Sequence, residues 1–270
     1  MSALRKAAVA GTFYPAGARQ LREVVAEYLA GAKRSERVPK AMIVPHAGYV
    51  YSGSIAASAY VRLTPVRDVI TRVVLLGPAH RVRLEGMALS SAEAFETPLG
   101  QVLVDQEAVA AIAELPQVVV ADEAHRQEHS LEVHLPFLQE ILTDFRVVPL
   151  VVGHMGAEAV AQVLDILWGG PETLIVVSSD LSHYEDYDTA RKMDRATSRA
   201  IEALQPEGIG DTAACGKYPV SGLLVEARRR GLNAETIDLR NSGDTAGPKG
   251  EVVGYGAYVF GPESASESVV

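Results

Sequence analysis

Three histidines in this sequence stand where chemistry is commonly done. His46 follows the apolar run Ala41–Val44, in Pro45-His46-Ala47-Gly48-Tyr49. His80 follows Val73–Leu76, in Gly77-Pro78-Ala79-His80-Arg81. Asp180 and His183 follow Leu174–Val177, in Ser178-Ser179-Asp180-Leu181-Ser182-His183-Tyr184. Two neutral imidazoles with one anionic donor make a metal site, and an acid near an imidazole makes an acid–base pair. Taken singly, a histidine after a strand is usually a loop residue or a structural hydrogen-bonding group. Three such segments, each past the end of an apolar run, point to one shared pocket.

Two further segments carry chemistry-bearing side chains. Cys215, the single cysteine, precedes Lys217-Tyr218-Pro219-Val220, where a helix is expected to begin near Pro219. A thiol near a helix start can have a depressed pKa and serve as ligand or nucleophile. It can equally be a small buried hydrophobe. The stretch Glu123–Leu138 is dense in His and Glu. Its Glu128 and His129 are expected to line the pocket, and His129-Ser130-Leu131-Glu132 to cap a helix. It is not H-E-x-x-H, so the zinc-protease motif is absent. Phosphate-binding glycine loops and G-x-S-x-G are absent as well.

The elements that must position these residues are legible. The runs 41–44, 73–76, 147–152 and 174–177 are almost continuous in Val, Ile and Leu. That pattern belongs to strands covered on both faces, as in a parallel sheet. Helical spacing is expected over 20–30, 55–63, 106–115, 131–142, 157–168, 189–204 and 222–230. Ser90–Val104 reads as a hairpin or edge insertion, and Val252–Phe260 as a last strand. Alternating strands and helices predict an α/β class. In such sheets ligands bind outside the carboxyl ends of the strands, where His46, His80 and Asp180 fall. No repeat or linker divides the chain. The expectation is one domain over 1–262 and a flexible polar tail over 263–270.

The composition narrows the function classes. Of 270 residues, 25 are Lys or Arg and 34 are Asp or Glu, a formal charge of −9. The longest basic cluster is Arg228-Arg229-Arg230, so a nucleic-acid partner is not expected. No run of 18 apolar residues exists, so no membrane span is expected. One cysteine and no signal-like start make a cytoplasmic location the expectation.

Several segments together resemble a known family. Ala10–Pro15 (AGTFYP), Pro45–Gly53 (PHAGYVYSG), Leu76–Arg81 (LGPAHR), Glu128–Leu138 (EHSLEVHLPFL), Ser178–Tyr184 (SSDLSHY) and Cys215–Val220 (CGKYPV) look like the Memo family. Its prokaryotic members are called AmmeMemoRadiSam system protein B. The resemblance implies a three-layer α/β/α domain with a largely parallel central sheet, similar to the class III extradiol dioxygenases. It implies a metal held by His46, His80 and Cys215, with Asp180 and His183 as catalytic residues. Tyr49, Glu128, His129 and Tyr184 are expected to bind substrate. The dioxygenases use two His and a carboxylate. A thiolate in the carboxylate's place favours copper(I), zinc or thiolate-bound iron.

The expected cofactor is therefore one iron or copper ion, with zinc as a further candidate. The expected partner is a small molecule or peptide, and assembly into a homo-oligomer is left open. Three functions follow. The first is metal-dependent redox or oxygenase-like chemistry. The second is a metal-free hydrolase with Cys215 as nucleophile, His183 as base and Asp180 orienting it. The third is a non-enzymatic adaptor with a relic pocket.

Overall fold

The computed structural model describes residues 3–35 and 37–262, so the expected tail at 263–270 lies outside the described residues. In chain order the elements are β1 (Leu4–Arg5), α1 (Ala18–Gly31), β2 (Ala41–Val44), α2 (Tyr49–Tyr60), β3 (Arg72–Pro78), β4 (Met87–Leu89), β5 (Ala94–Thr97) and β6 (Gly100–Leu103). Then come α3 (Gln106–Ile112), β7 (Val118–Val120), α4 (Asp122–Arg126), α5 (Leu135–Ile141), β8 (Arg146–Val152), α6 (Ala157–Leu167) and β9 (Thr173–Ser178). The chain closes with β10 (His183–Glu185), α7 (Tyr187–Glu202), α8 (Lys217–Arg229), β11 (Asn233–Asn241) and β12 (Val252–Gly261).

The central sheet has a parallel heart, β2-β9-β3-β8. Its flanks are mixed. β12 runs antiparallel to β2 and β4 antiparallel to β8, while β7 is parallel to β4. β10 and β11 both pair with β12. The hairpin expected within 90–104 is β5–β6, and it joins β1 in a separate small sheet.

Alternation along each heart strand divides the core in two. Met42, Val44, Val73, Leu75, Leu174 and Val176 pack with Leu21, Ile55 and Leu138 of α1, α2 and α5. Ile43, Val74, Leu76, Ile175 and Val177 pack with Ile112, Val163, Ile201 and Leu223 of α3, α6, α7 and α8. Strands covered on both faces have no polar side to show, hence their unbroken apolar runs. The architecture is the expected three-layer α/β/α, around a mixed sheet. No described helix is long and apolar enough to cross a membrane.

Two glycines are required by close approach. A Cβ on Gly77 would meet Ser130 Oγ at 2.7 Å, so glycine lets the 128–131 loop lie against the end of β3. A Cβ on Gly216 would meet the Ser178 carbonyl at 2.6 Å, so glycine brings the Cys215 loop onto the end of β9. Both contacts draw distant chain segments to the carboxyl end of the sheet.

Candidate metal centre

Four segments meet at that end. β2 delivers His46, β3 delivers His80, β9 delivers Asp180, and the turn before α8 delivers Cys215. One donor atom from each of His46, His80 and Cys215 lies within 4.8 Å of the other two. Cys215 Sγ lies 3.3 Å from His46 Nε2. His46 is buried, Cys215 half-buried and His80 exposed, so the trio opens outward on the His80 side.

Donor accounting assigns the tautomer of each histidine. The Ser178 hydroxyl lies 2.6 Å from the Ser130 carbonyl, which can only accept, so its one proton goes there. Ser178 Oγ then accepts N–H from His46 Nδ1 at 2.6 Å and from His134 Nε2 at 2.8 Å. His134 Nδ1 is left to accept the Tyr60 hydroxyl at 2.9 Å. His46 therefore carries its proton on Nδ1 and turns an Nε2 lone pair toward Cys215. His80 follows the same logic. Its Nδ1 lies 2.9 Å from Glu128 Oε1, an acceptor when ionised. Burial alone would raise the Glu128 pKa. Hydrogen bonds and charge from His80, with the backbone N–H of His80 and Ser130, outweigh it and hold the carboxyl at about 2. His80 Nδ1 is thus protonated and its Nε2 lone pair free.

Glu128 is fully engaged. It accepts the N–H of His80, His129 and Ser130 besides the His80 ring, so it orients the site and is not spare for ligation. The His129 ring stacks on His80 with centroids 4.7 Å apart and packs against Phe13, forming one wall. Its Nδ1 comes within 3.3 Å of Glu128 Oε1 but outside hydrogen-bond geometry, and is buried without a partner. Burial pushes the His129 pKa down to about 4.

Asp180 ties the loops together. Its Oδ1 accepts the His46 N–H at 2.8 Å, and its own N–H donates to Cys215 Sγ at 3.3 Å. Burial pushes its pKa up to about 7, against the hydrogen bond from His46. His46 is held well below its ordinary value, by burial first and then by His80 and His129. His183, also lowered by burial, donates Nδ1–H to the Leu181 carbonyl at 2.7 Å. Its Nε2 is the nitrogen left free for proton transfer.

The sequence model of a family described as Memo-like protein matches residues 5–259. The chain belongs to the Memo family. It is 37% identical to a MEMO1 family protein of Aquifex aeolicus (strain VF5), over 95% of this chain and 99% of the relative. It is 37% identical to one of Aeropyrum pernix, over 94% and 98%, and 35% identical to one of Ignicoccus hospitalis, over 95% and 98%.

Against the residues that the Memo resemblance singles out, the geometry separates three groups. His46, His80, Cys215 and Asp180 converge, with Glu128 and His129 behind and beside them. His183 and Tyr184 sit at the start of β10, with Tyr184 73% exposed. Tyr49 is taken elsewhere: its ring packs between Tyr14 and Phe137, and its hydroxyl donates to the Val133 carbonyl at 2.6 Å. Two local expectations are corrected. The Cys215 thiol is not depressed: it lies ahead of the helix cap Gly216, and burial, then Asp180, push its pKa up. Glu132 does not cap a helix. Its carboxylate is buried against Arg5, the N–H of Ala8 and Val9, and the Tyr14 hydroxyl. Sequence reading missed Ser178, His134 and Tyr60, the relay that sets the His46 tautomer. A serine at a strand end carries no signal of that role.

Proposed function

We propose that His46, His80 and Cys215 hold one metal ion and that the protein performs metal-dependent redox or oxygenase-like chemistry on a small substrate. The carrying observation is the pair of fixed tautomers. Ligating imidazoles normally donate their second N–H to a carboxylate or another acceptor. His80 donates to Glu128 and His46 to Ser178, so each has its Nε2 lone pair available. With the sulfur they form a three-donor N,N,S set, which suits iron, copper or zinc and leaves a coordination position open. A bound iron or copper ion would supply electron transfer there.

The chain's own residues have separable tasks. Glu128 and Ser178 hold the imidazoles in register. The Asp180 N–H favours a negative sulfur. The Asp180 carboxyl, poised near neutrality, can keep or release a proton beside His46. His183 offers Nε2 for proton transfer, and Phe13 with His129 screens one side from water. The rival hydrolase reading has less support, because the imidazole beside Cys215 is His46 and not His183.

Anaerobic purification, elemental analysis and an electronic spectrum test the proposal. About one iron or copper per chain is expected, lost in Cys215→Ala. A wild-type chain that takes up no metal, or unchanged metal content in the variant, overturns it. Activity indifferent to chelators and abolished by thiol labelling would favour the hydrolase.

A further inference from the structure

Buried tyrosines in this protein have their hydroxyls satisfied, with one exception. Tyr14 donates to Glu132, Tyr49 to the Val133 carbonyl and Tyr60 to His134 Nδ1, and Tyr258 pairs with Ser198 Oγ. Tyr255, in β12, is 2% exposed, yet its hydroxyl has no hydrogen-bond partner among the described residues. Nor is it one of the unpartnered side-chain atoms sealed inside the protein, so its sliver of exposed surface includes the hydroxyl. A buried hydroxyl left unpaired is costly unless something outside the protein serves it.

Its surroundings identify what that opening faces. Gly254 N–H donates to the Ser182 carbonyl, and Leu181 N–H donates to the Gly254 carbonyl. β12 thus runs along the Asp180–His183 loop and sets Tyr255 beside it. Alternation puts Tyr255, Ala257 and Val259 on the same face of the sheet as Met42 and Val44, the strand that leads to His46. β10, which carries Tyr184, pairs with β12 at His183 and Val253, and α2, which carries Tyr51, packs on β12. Burial raises the Tyr255 pKa, and Asp180 adds to it.

The rim is aromatic. Tyr51 is 39% and Tyr184 73% exposed, and the Tyr184 ring meets His183 edge-on. Tyr184 also has φ +59°, a left-handed conformation rare for a bulky residue and found where structure holds strain at a site. Aromatic rings of this kind favour a flat apolar partner. A hydroxyl without an internal acceptor needs an external one. A ligand carboxylate would give up its hydration in exchange for a single O–H donor, so a neutral acceptor fits better.

We propose that Tyr255 binds ligand in this pocket, donating its O–H to a carbonyl-type oxygen of a small neutral molecule whose planar apolar body lies against Tyr51 and Tyr184. This rests on the reading of the pocket as the working site. Benzamide is the probe, with toluene and benzoate as controls, titrated into metal-free protein by calorimetry or ligand-observed NMR. Wild type is expected to bind benzamide better than benzoate. Tyr255→Phe should weaken benzamide about fivefold and leave toluene unchanged. Its unfolding midpoint should match wild type, because the lost oxygen has no internal partner. Tyr184→Ala should weaken benzamide and toluene alike. Equal benzamide affinity in wild type and Tyr255→Phe overturns the proposal, as does absence of benzamide binding or a lowered midpoint in that variant. Metal content, measured separately, keeps the two readings apart. If benzamide discriminates while neither protein takes metal, the metal assignment alone fails. If metal binds while benzamide does not discriminate, the Tyr255 assignment alone fails.

Discussion

The segment from His125 to His134 contributes to two buried polar clusters that end differently. Toward the amino terminus, Arg5 donates to Glu132, to the His125 carbonyl and to the Glu128 carbonyl. Glu132 also accepts from Ala8, Val9 and Tyr14. That cluster is closed, because every contact of its carboxylate is made inside the chain. Toward the sheet end, Glu128 and Ser178 absorb the Nδ1 protons of His80 and His46. The remaining donors, two imidazole lone pairs and a sulfur, face one another. The first cluster holds the loop, whereas the second keeps two imidazole lone pairs and a sulfur within reach of one another. Richness in His and Glu is common to both, so what distinguishes structure from function here is which atoms are left over.

The sharpest break in the comparison is Cys215→Ala. Metal affinity should fall well beyond the ~10–100-fold typical of changes behind the ligands, while the unfolding midpoint of the metal-free protein moves little. Calorimetric metal titration with a parallel melt reads both. Glu132→Ala should invert the pattern. Removing one partner strands buried Arg5, at about 3–5 kcal/mol of stability, measured by denaturant unfolding, with metal affinity retained in the protein that remains folded.

Glu128→Gln tests the residue that touches both clusters. It should cost about 10–100-fold in metal affinity, because the ionised acceptor behind His80 becomes an uncharged amide whose NH2 must face an N–H that Glu128 now accepts. An affinity equal to wild type would detach Glu128 from the site.

The smallest effect concerns pH. Burial lowers His125 to about 4, below its unfolded 6.5. Between those values the unfolded chain binds the proton that the folded chain refuses, so stability falls as pH drops below 6.5. The slope approaches about 1.4 kcal/mol per pH unit. Urea unfolding of wild type and His125→Gln at pH 6.5 and 5.5 should show a smaller drop in the variant.

The parallel heart was readable because doubly covered strands must be apolar throughout, and Ala41–Val44 matches to the residue. β11 was not, since Asn233–Asn241 is a polar strand paired only to β12. α2 begins at Tyr49, ahead of the expected 55, with no capping side chain to announce it. The convergence of His46, His80 and Asp180 followed from their places after strands. Cys215 rested on family resemblance, because a thiol's role depends on neighbours that spacing does not reveal. The Arg5–Glu132 pair joins residues 127 positions apart, and the Ser178 relay joins four segments. Neither leaves a local pattern.

The most direct test of the N,N,S assignment is X-ray absorption on the iron- or copper-loaded protein, wild type and Cys215→Ser. The account predicts one sulfur at about 2.3 Å and two imidazole nitrogens at about 2.0–2.1 Å in the wild type, taking zinc-like bond lengths as a guide. The sulfur shell should vanish in the variant. A wild-type spectrum with only nitrogen and oxygen neighbours, or one unchanged by Cys215→Ser, would contradict it.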